Sequence, residues 1–125
     1  MMEIINTNNA PAPIGPYSQA TVAGNFVFVS GQIPLNPATG ELVTSGIKDE
    51  AVLVMENIKA ILTEAGIGFV NVVKTSIFLT DLGNFGQVNE VYGTYFTSNF
   101  PARETVQVSA LPKGVNVEIS VIAVK

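Results

Sequence analysis

The spacing of apolar residues predicts a long amphipathic helix from about residue 47 to residue 65. Ala, Val, Met, Ile and Leu recur there at steps of three and four positions, which places them on one helical face. Gly66 follows the last of these positions and predicts where the helix ends. Glu50, Glu56 and Glu64 fall off the apolar stripe, so we expect their carboxylates to lie in solvent.

A second, shorter helix is predicted to begin after Asn84. The Asn84 side chain can cap the first turn, with Gln87 three residues later as its capping-box partner. Gly93 weakens this helix by about 1 kcal/mol relative to alanine. The apolar stripe of the second helix consists of Phe85, Val88, Tyr92, Tyr95 and Phe96.

Four segments have the β-branched and apolar composition of strands, namely residues 25–31, 70–80, 103–110 and 115–124. Residues 8–18 contain three prolines and are predicted to form an irregular loop, because proline lacks a backbone donor. The order strand–helix–strand occurs twice, which favours parallel neighbouring strands joined by right-handed crossovers.

This order of elements leaves one face of the predicted sheet without cover from the same chain. Both helices lie on the other face. The last strand is apolar on both of its sides, which is typical of a strand in the interior of a sheet. A bare, partly apolar face has to be buried, and most soluble oligomers are symmetric homo-oligomers. We therefore expect one α+β domain over residues 1–125 that assembles with copies of itself.

The composition restricts the chemistry that the chain can perform. It contains no histidine and no cysteine, which excludes a Ser-His-Asp triad, a catalytic thiolate and zinc sites built on those residues. The net charge is −4 and the basic residues are not clustered, so we expect no nucleic-acid partner. The sequence shows neither a signal-peptide pattern nor a stretch long enough for a membrane span, which predicts a cytoplasmic protein without a membrane partner.

Arg103 is the single arginine of the chain, and it opens a predicted strand. A guanidinium can hold a carboxylate through two parallel hydrogen bonds, which lysine cannot do. Strand alternation puts Arg103 and Thr105 on one face and Glu104 on the other. Glu118 is an unusual charge within the apolar last strand. Two interpretations stay open: a structural ion pair or solvated charges, or a carboxylate clamp at Arg103 with Glu118 handling water or a proton.

Four other residues could line a ligand site, although each also has a plain structural interpretation. The ring of Tyr17 could pack on a ligand or cap the core from its loop. Ser30 and Gly31, at the end of a strand, offer a hydroxyl and an unobstructed N–H, or form an ordinary turn. Asn89, beside the stripe of the second helix, could make a polar contact or a cap.

In combination, these residues resemble the RidA/YjgF family of enamine/imine deaminases. The most specific elements are the Pro-Ala-Arg sequence that ends at Arg103 and the Val-Glu-Ile sequence around Glu118, whose order and spacing fit the family. The resemblance covers essentially the whole chain. Further matching segments are 13–20 (PIGPYSQA), 29–34 (VSGQIP), 57–62 (NIKAIL), 73–75 (VKT), 88–92 (VNEVY) and 111–114 (LPKG).

The resemblance implies a chorismate-mutase-like α+β fold, with a mixed sheet, two helices on one face, and a homotrimer whose sites lie between subunits. It also implies a reaction. Reactive 2-imino acids, released by pyridoxal-phosphate dehydratases, are hydrolysed to 2-keto acids and ammonia. The expected ligand is a small 2-imino or 2-keto acid, with no cofactor and no metal.

The same resemblance implies roles for individual residues. Arg103 binds the substrate carboxylate, and Glu118 positions or activates water. Thr105 stands where many relatives have cysteine, and Glu104 where they have a small or apolar residue. Glu104 would compete with the substrate only if it folded back onto Arg103. The residues that match positions in contact with the substrate are Tyr17, Ser30, Gly31, Asn89 and Thr105.

Two other functions stay open. A non-catalytic sensor of keto acids would use the same Arg103 pocket and would not need Glu118 to handle water. A translation-inhibiting endoribonuclease is known among relatives in the family. The acidic composition, the lone arginine and the missing histidine argue against that activity here.

Overall fold

Six strands and two α-helices form one mixed sheet with helical cover in the computed structural model, which describes residues 2–125. This is the predicted α+β architecture. The sequence pattern did not single out the first two strands, which have three and four residues and are too short to show a period. In chain order the elements are β1 (Glu3–Ile5), β2 (Ala20–Ala23), β3 (Phe26–Gln32), α1 (Ile47–Glu64), β4 (Val72–Leu79), α2 (Phe85–Gly93), β5 (Ala102–Gln107) and β6 (Val117–Val124).

The strand order in the sheet is β1-β2-β3-β6-β4-β5. The predicted interior position of the last strand is confirmed, because β6 pairs antiparallel with β3 on one side and with β4 on the other. The crossover through α2 joins parallel neighbours, β4 and β5, as predicted. The prediction is wrong for the crossover through α1, because β6 is inserted between β3 and β4.

Helix α1 confirms the predicted stripe and the predicted C-terminus. Val54, Ile58 and Ile61 on its inner side are fully buried. The helix ends just before Gly66, whose φ of 78° lets the chain turn away from the helix axis. Neither helix of residues 2–125 has the length and apolarity that a membrane span needs.

The prediction that three glutamates of α1 lie in solvent is wrong for Glu50, which is only 3% exposed. Its carboxylate oxygens accept hydrogen bonds from Asn116 Nδ2 at 3.2 and 3.1 Å. Glu50 lies in the first turn of α1, where the helix dipole stabilises an anion. This bond ties α1 to the segment that leads into β6. Glu56 and Glu64 are exposed, as predicted.

Helix α2 begins at the predicted place but is shorter than its apolar stripe. Asn84 forms no side-chain capping bond, so the predicted capping box is wrong. Asp81 caps a short 3₁₀ turn instead, and its carboxylate accepts the backbone N–H of Gly83 at 2.8 Å. The last two residues of the stripe lie beyond the helix, where their rings pack against Phe69.

The two faces of the sheet differ in cover, as predicted. On one face the sheet and the helices enclose the hydrophobic core, which includes Val27, Ile77 and Ile119. No helix of residues 2–125 packs on the opposite face, which we call the open face. There Phe26 and Phe28 keep 49% and 43% of their surfaces exposed. The open face is therefore partly apolar and available to another protein surface.

One buried side chain, Gln19, organises the predicted irregular loop at residues 8–18. Gln19 Oε1 accepts a hydrogen bond from the Thr7 backbone N–H at 2.7 Å. Gln19 Nε2 donates to the carbonyl oxygens of Thr7, Ala10 and Pro11 at 3.0, 3.2 and 2.9 Å. One amide therefore satisfies backbone groups that lie outside the helices and strands.

Gln19→Ala should lower the free energy of unfolding by roughly 2–4 kcal/mol, because it leaves several buried backbone groups without hydrogen-bond partners. Urea unfolding followed by circular dichroism measures this change. Gln87→Ala is the matched control. Gln87 is exposed on α2, so its substitution should change the free energy of unfolding by less than about 0.5 kcal/mol. Equally small effects from the two substitutions would contradict the role of Gln19.

Candidate active site

Arg103 lies at the edge of the sheet beneath helix α2. It is paired with Thr75 of β4, a buried residue on the helix-covered face. Asn89 of α2 accepts a hydrogen bond from Arg103 Nη1 at 2.7 Å. Within residues 2–125, no carboxylate forms a salt bridge with Arg103. The guanidinium therefore keeps N–H donors for a ligand.

Two aromatic rings hold the guanidinium in place. Arg103 Cζ lies 5.5 Å from the ring centroid of Phe85 and 5.1 Å from that of Tyr92. The Tyr92 hydroxyl donates to Thr75 Oγ1 at 3.0 Å, which fixes its ring. Burial raises the pKa of Tyr92, so this phenol stays neutral beside the arginine. Contact with aromatic faces stabilises the cation without a counter-charge.

A cavity of about 500 Å³ adjoins the guanidinium. Sequence reasoning found Arg103 and Asn89 but not their aromatic neighbours, which counted only as the stripe of the second helix. The sequence did contain a signal for these rings, because Asn89, Tyr92 and Gly93 lie four, seven and eight residues after Phe85 and so share its face of the helix. The cavity is lined by Asn89, Tyr92, Gly93, Phe100, Pro101 and Arg103.

Glu118 lies in a second cavity, of about 360 Å³, on the open face of the sheet. In the pairing of β6 with β4 it stands opposite Phe78. Burial raises the pKa of the Glu118 carboxyl above that of an exposed glutamate. Four of the predicted site residues line this cavity, namely Tyr17, Ser30, Gly31 and Glu118. The lining residues are Ile14, Tyr17, Ser30, Gly31, Ile33, Pro112 and Glu118.

Gly31 is required by the close approach of Glu118. A Cβ atom built at Gly31 would lie 2.6 Å from Glu118 Oε2 and 2.7 Å from Glu118 Cδ. Carbon atoms in favourable contact are about 3.5–4.0 Å apart, so any side chain at this position would displace the carboxyl. The missing side chain lets Glu118 rest against β3.

Ser30 anchors the loop that carries Tyr17. Its Oγ donates to the carbonyl oxygen of Ser18 at 2.6 Å, and its backbone N–H donates to the carbonyl oxygen of Gln19 at 2.9 Å. The Tyr17 hydroxyl accepts the Ile14 N–H at 3.3 Å. Tyr17 is half-exposed and lines the cavity, so its ring does not cap the core.

Arg103 and Glu118 do not meet within one chain. In β4, Thr75 lies on the helix-covered face and Phe78 on the open face. Arg103 pairs with Thr75 and Glu118 pairs with Phe78, so each charged residue lies on the face of its partner. The interpretation of a structural ion pair is therefore wrong for the single chain. Thr105 lines neither cavity, and its buried hydroxyl has no hydrogen-bond partner within residues 2–125.

Glu104 projects away from Arg103, as strand alternation predicts. Its carboxylate accepts a hydrogen bond from the Ser76 hydroxyl and pairs with Lys74 Nζ at 2.9 Å. The Ser76 hydrogen bond and the nearby Lys74 ammonium lower the pKa of Glu104. Glu104 therefore does not compete with a ligand carboxylate for the arginine.

The two cavities offer complementary chemistry. The Arg103 cavity presents a fixed cation, which suits a carboxylate ligand. The Glu118 cavity presents a carboxyl whose raised pKa suits proton exchange with water. In the described part of the chain, no three His, Cys, Asp or Glu side chains lie close enough together to hold a metal ion.

Known proteins match the chain over nearly its whole length. The sequence profile of the family described as Endoribonuclease L-PSP matches residues 7–125. The 2-iminobutanoate/2-iminopropanoate deaminase of Rattus norvegicus is 50% identical over 123 residues, which cover 98% of this chain and 90% of the rat protein.

Solved structures agree with the fold. RidA from an Antarctic Psychrobacter bacterium is 47% identical with a TM-score of 0.95, and the match covers 98% of this chain and 99% of that one. TdcF of E. coli, solved with bound serine, is 45% identical with a TM-score of 0.94 over 98% of both chains. On these full-length matches, the chain belongs to the RidA/YjgF family, whose sequence profile is described as Endoribonuclease L-PSP.

Proposed function

We propose that this chain is a 2-iminobutanoate/2-iminopropanoate deaminase, which hydrolyses 2-imino acids to 2-keto acids and ammonia. The observation that carries the proposal is the 50% identity, over 98% of the chain, to an enzyme of that name. The geometry supports the same reaction, since the chain supplies a fixed cation and a carboxylate of raised pKa. An imine carbon is already electrophilic, so the protein needs to supply only orientation and proton transfer to catalyse its hydrolysis.

Arg103 binds the substrate carboxylate in this proposal. Its planar guanidinium can donate two parallel hydrogen bonds to the two carboxylate oxygens. Asn89 and the rings of Phe85 and Tyr92 already hold the side chain, so little conformational entropy is lost when the ligand binds. In a chain of net charge −4, this one concentrated positive group attracts a small anion to its site.

Glu118 activates the water that attacks the imine carbon. The carboxylate accepts a proton as the water oxygen bonds to C2, and the imine nitrogen takes up a proton to give a carbinolamine. The C–N bond then breaks, ammonia leaves, and the hydroxyl oxygen becomes the keto oxygen. Glu118 carries a proton from oxygen to nitrogen in both steps, first from the attacking water to the imine nitrogen and then from the carbinolamine hydroxyl to the departing amine. The reaction consumes one water and releases one ammonia.

A complete site needs two copies of the chain. Arg103 and Glu118 lie on opposite faces of the sheet, and the open face is partly apolar, with no helix of residues 2–125 packed on it. A head-to-tail interface joins different surfaces of the two copies, so it can set Arg103 of one copy opposite Glu118 of the next. If the third copy contacts the first through the same interface, the ring closes as the homotrimer that the family resemblance implies.

The description of the family raises RNA cleavage as a second activity. An RNA ligand calls for several cationic contacts with phosphates, whereas this chain has one arginine and a net charge of −4. A keto-acid sensor remains the other alternative. It would use Arg103 without needing Glu118, so substitution of Glu118 separates a sensor from an enzyme.

Arg103→Ala should lower kcat/KM for 2-iminobutanoate by about a hundredfold or more, because two charge-assisted hydrogen bonds worth ~3 kcal/mol are lost. The measurement is 2-keto acid formation above the uncatalysed rate, with a threonine dehydratase supplying the imine. Lys48→Ala is the control, since it removes a positive charge that pairs with Glu90 on the surface. Wild-type activity in Arg103→Ala would exclude binding of the substrate carboxylate by Arg103.

The kcat/KM of the wild type should fall as the pH drops through the pKa of Glu118, because protonation removes the base. Burial raises this pKa above the usual 4.5, and a facing Arg103 from the next copy lowers it, so these two opposing effects set the position of the acid limb. Glu118→Gln should lose most of the activity together with this limb. A Glu118→Gln variant with the wild-type pH profile would favour the sensor over the enzyme.

Stability distinguishes a catalytic from a structural role of Glu118. A raised pKa means that the folded protein disfavours the charged form, so the wild type gains stability as the pH falls from above that pKa towards 4.5. Above that pKa, Glu118→Gln should therefore not lower the free energy of unfolding. A marked loss of stability would show that the carboxylate holds the fold.

Mixing Arg103→Ala chains with Glu118→Gln chains tests whether each site uses two copies. When equal amounts are unfolded and refolded together, about a quarter of the intersubunit sites combine an intact Arg103 with an intact Glu118. About a quarter of the wild-type activity should then return. Each variant refolded alone is the control, and a site contained within one chain would show no recovery.

A further inference from the structure

Glu50 is the one charged residue among the buried side chains of residues 2–125. Burying a carboxylate costs free energy unless hydrogen bonds compensate for the lost water. No salt bridge of residues 2–125 reaches Glu50. Its hydrogen bonds all come from Asn116, whose Nδ2 donates to both carboxylate oxygens at 3.2 and 3.1 Å and whose backbone N–H donates to Oε1 at 3.4 Å. The cost of burial is therefore offset mainly at one residue, together with the dipole of α1.

Asn116 joins the start of α1 to the end of β4. Its Oδ1 accepts the hydroxyl of Thr80 at 3.2 Å, and its carbonyl oxygen accepts the backbone N–H of Thr80 at 3.2 Å. Thr80 is the residue that directly follows β4. Asn116 is therefore held from two sides, by Glu50 on the helix and by Thr80 at the end of the strand.

The segment of residues 111–116, which leads into β6, depends on this arrangement. It contains the 3₁₀ turn Pro112–Gly114, in which Lys113 has a φ of 58°, a conformation that residues other than glycine rarely adopt. Such a conformation persists only where its surroundings hold it. Within residues 2–125, the hydrogen bonds that join this segment to α1 and β4 are all made by Asn116.

Both sides of Asn116 lead to the Glu118 cavity. Pro112, four residues before it, lines that cavity. Glu118 lies two residues after it, which is about 7 Å along an extended chain. No salt bridge of residues 2–125 holds the Glu118 carboxyl. Its position therefore depends on the backbone at the start of β6 and on the walls of the cavity.

We propose that Glu50 is a positioning residue for the Glu118 site. Through Asn116 it holds the wall at Pro112 and the first residues of β6, and so fixes the carboxyl that activates water. Glu50 itself does not touch the substrate. This inference rests on the proposed deaminase function and extends it to a residue of α1. The role requires hydrogen-bond acceptance by Glu50, so a glutamine can replace the carboxylate.

The test compares Glu50→Ala with the conservative variant Glu50→Gln. Glu64→Ala is the matched control, because Glu64 is exposed in the same helix, forms no salt bridge of residues 2–125 and lines neither site cavity. Circular dichroism and gel filtration select folded, assembled protein. On that fraction, kcat and KM are measured separately for 2-iminobutanoate. The titration of the Glu118 carboxyl carbon, assigned with Glu118→Gln, is followed by ¹³C NMR and requires no activity.

Glu50→Ala should lower kcat by about tenfold to a hundredfold, because a displacement of about 1 Å at a reacting group has an effect of that size. KM should change by less than about threefold, since other elements hold the substrate-binding Arg103. The Glu118 titration should move to lower pH, because a loosened wall admits water and reduces the burial that raises the pKa of Glu118. Glu50→Gln should stay within about threefold of the wild-type kcat, because its amide oxygen accepts the bond from Asn116.

Wild-type kcat and an unchanged Glu118 titration in folded Glu50→Ala would overturn the positioning role. A rise in KM alone would also overturn it, and so would a Glu50→Gln variant as impaired as Glu50→Ala. If Glu50→Ala does not fold, Asn116→Ala decides by the same measurements. A wild type that does not accelerate imine hydrolysis would overturn the deaminase function, and the Glu118 titration alone would then decide whether Glu50 positions that carboxyl.

Discussion

Strand β4 lies between β6 and β5, and its alternating side chains divide the molecule into two functional surfaces. Thr75 belongs to the buried side and brings Arg103 beneath α2, whereas Phe78 belongs to the open face and brings Glu118 there. Rotating a side chain cannot undo this division, because a strand repeats every two residues and one face is packed in the core. In the proposed function, assembly is therefore part of the catalytic geometry.

The charge of Arg103 is stabilised by aromatic rings and one amide, with no carboxylate of residues 2–125 as its partner. If a carboxylate were paired with Arg103, a substrate would have to displace it, and breaking a buried ion pair leaves an uncompensated charge. Cation–π contacts contribute about 0.5–2 kcal/mol each and leave the N–H edge of the guanidinium free. Glu104, the adjacent acid in the chain, is held on the other face by Lys74. The arginine is therefore ready to bind an anion.

Two glycines contribute to the site through the space that they leave, not through unusual backbone angles. At Gly31 the missing side chain lets the Glu118 carboxyl pack against β3. At Gly93 it leaves room beside the arginine. Gly66, by contrast, has a positive φ and ends α1. All three look alike in a sequence, because the neighbours that define a space come from distant parts of the chain.

The sequence by itself determined what local signals encode: the stripe of α1, the strands around the core, the bare face, and the family motifs that predict Arg103 and Glu118 as site residues. It misled where long-range partners decide, as at Glu50, which Asn116 holds in a buried position. Only the tertiary structure decided that the two charged site residues lie on opposite faces in separate cavities. The insertion of β6 between β3 and β4 is a pairing of distant segments, which no local pattern contains.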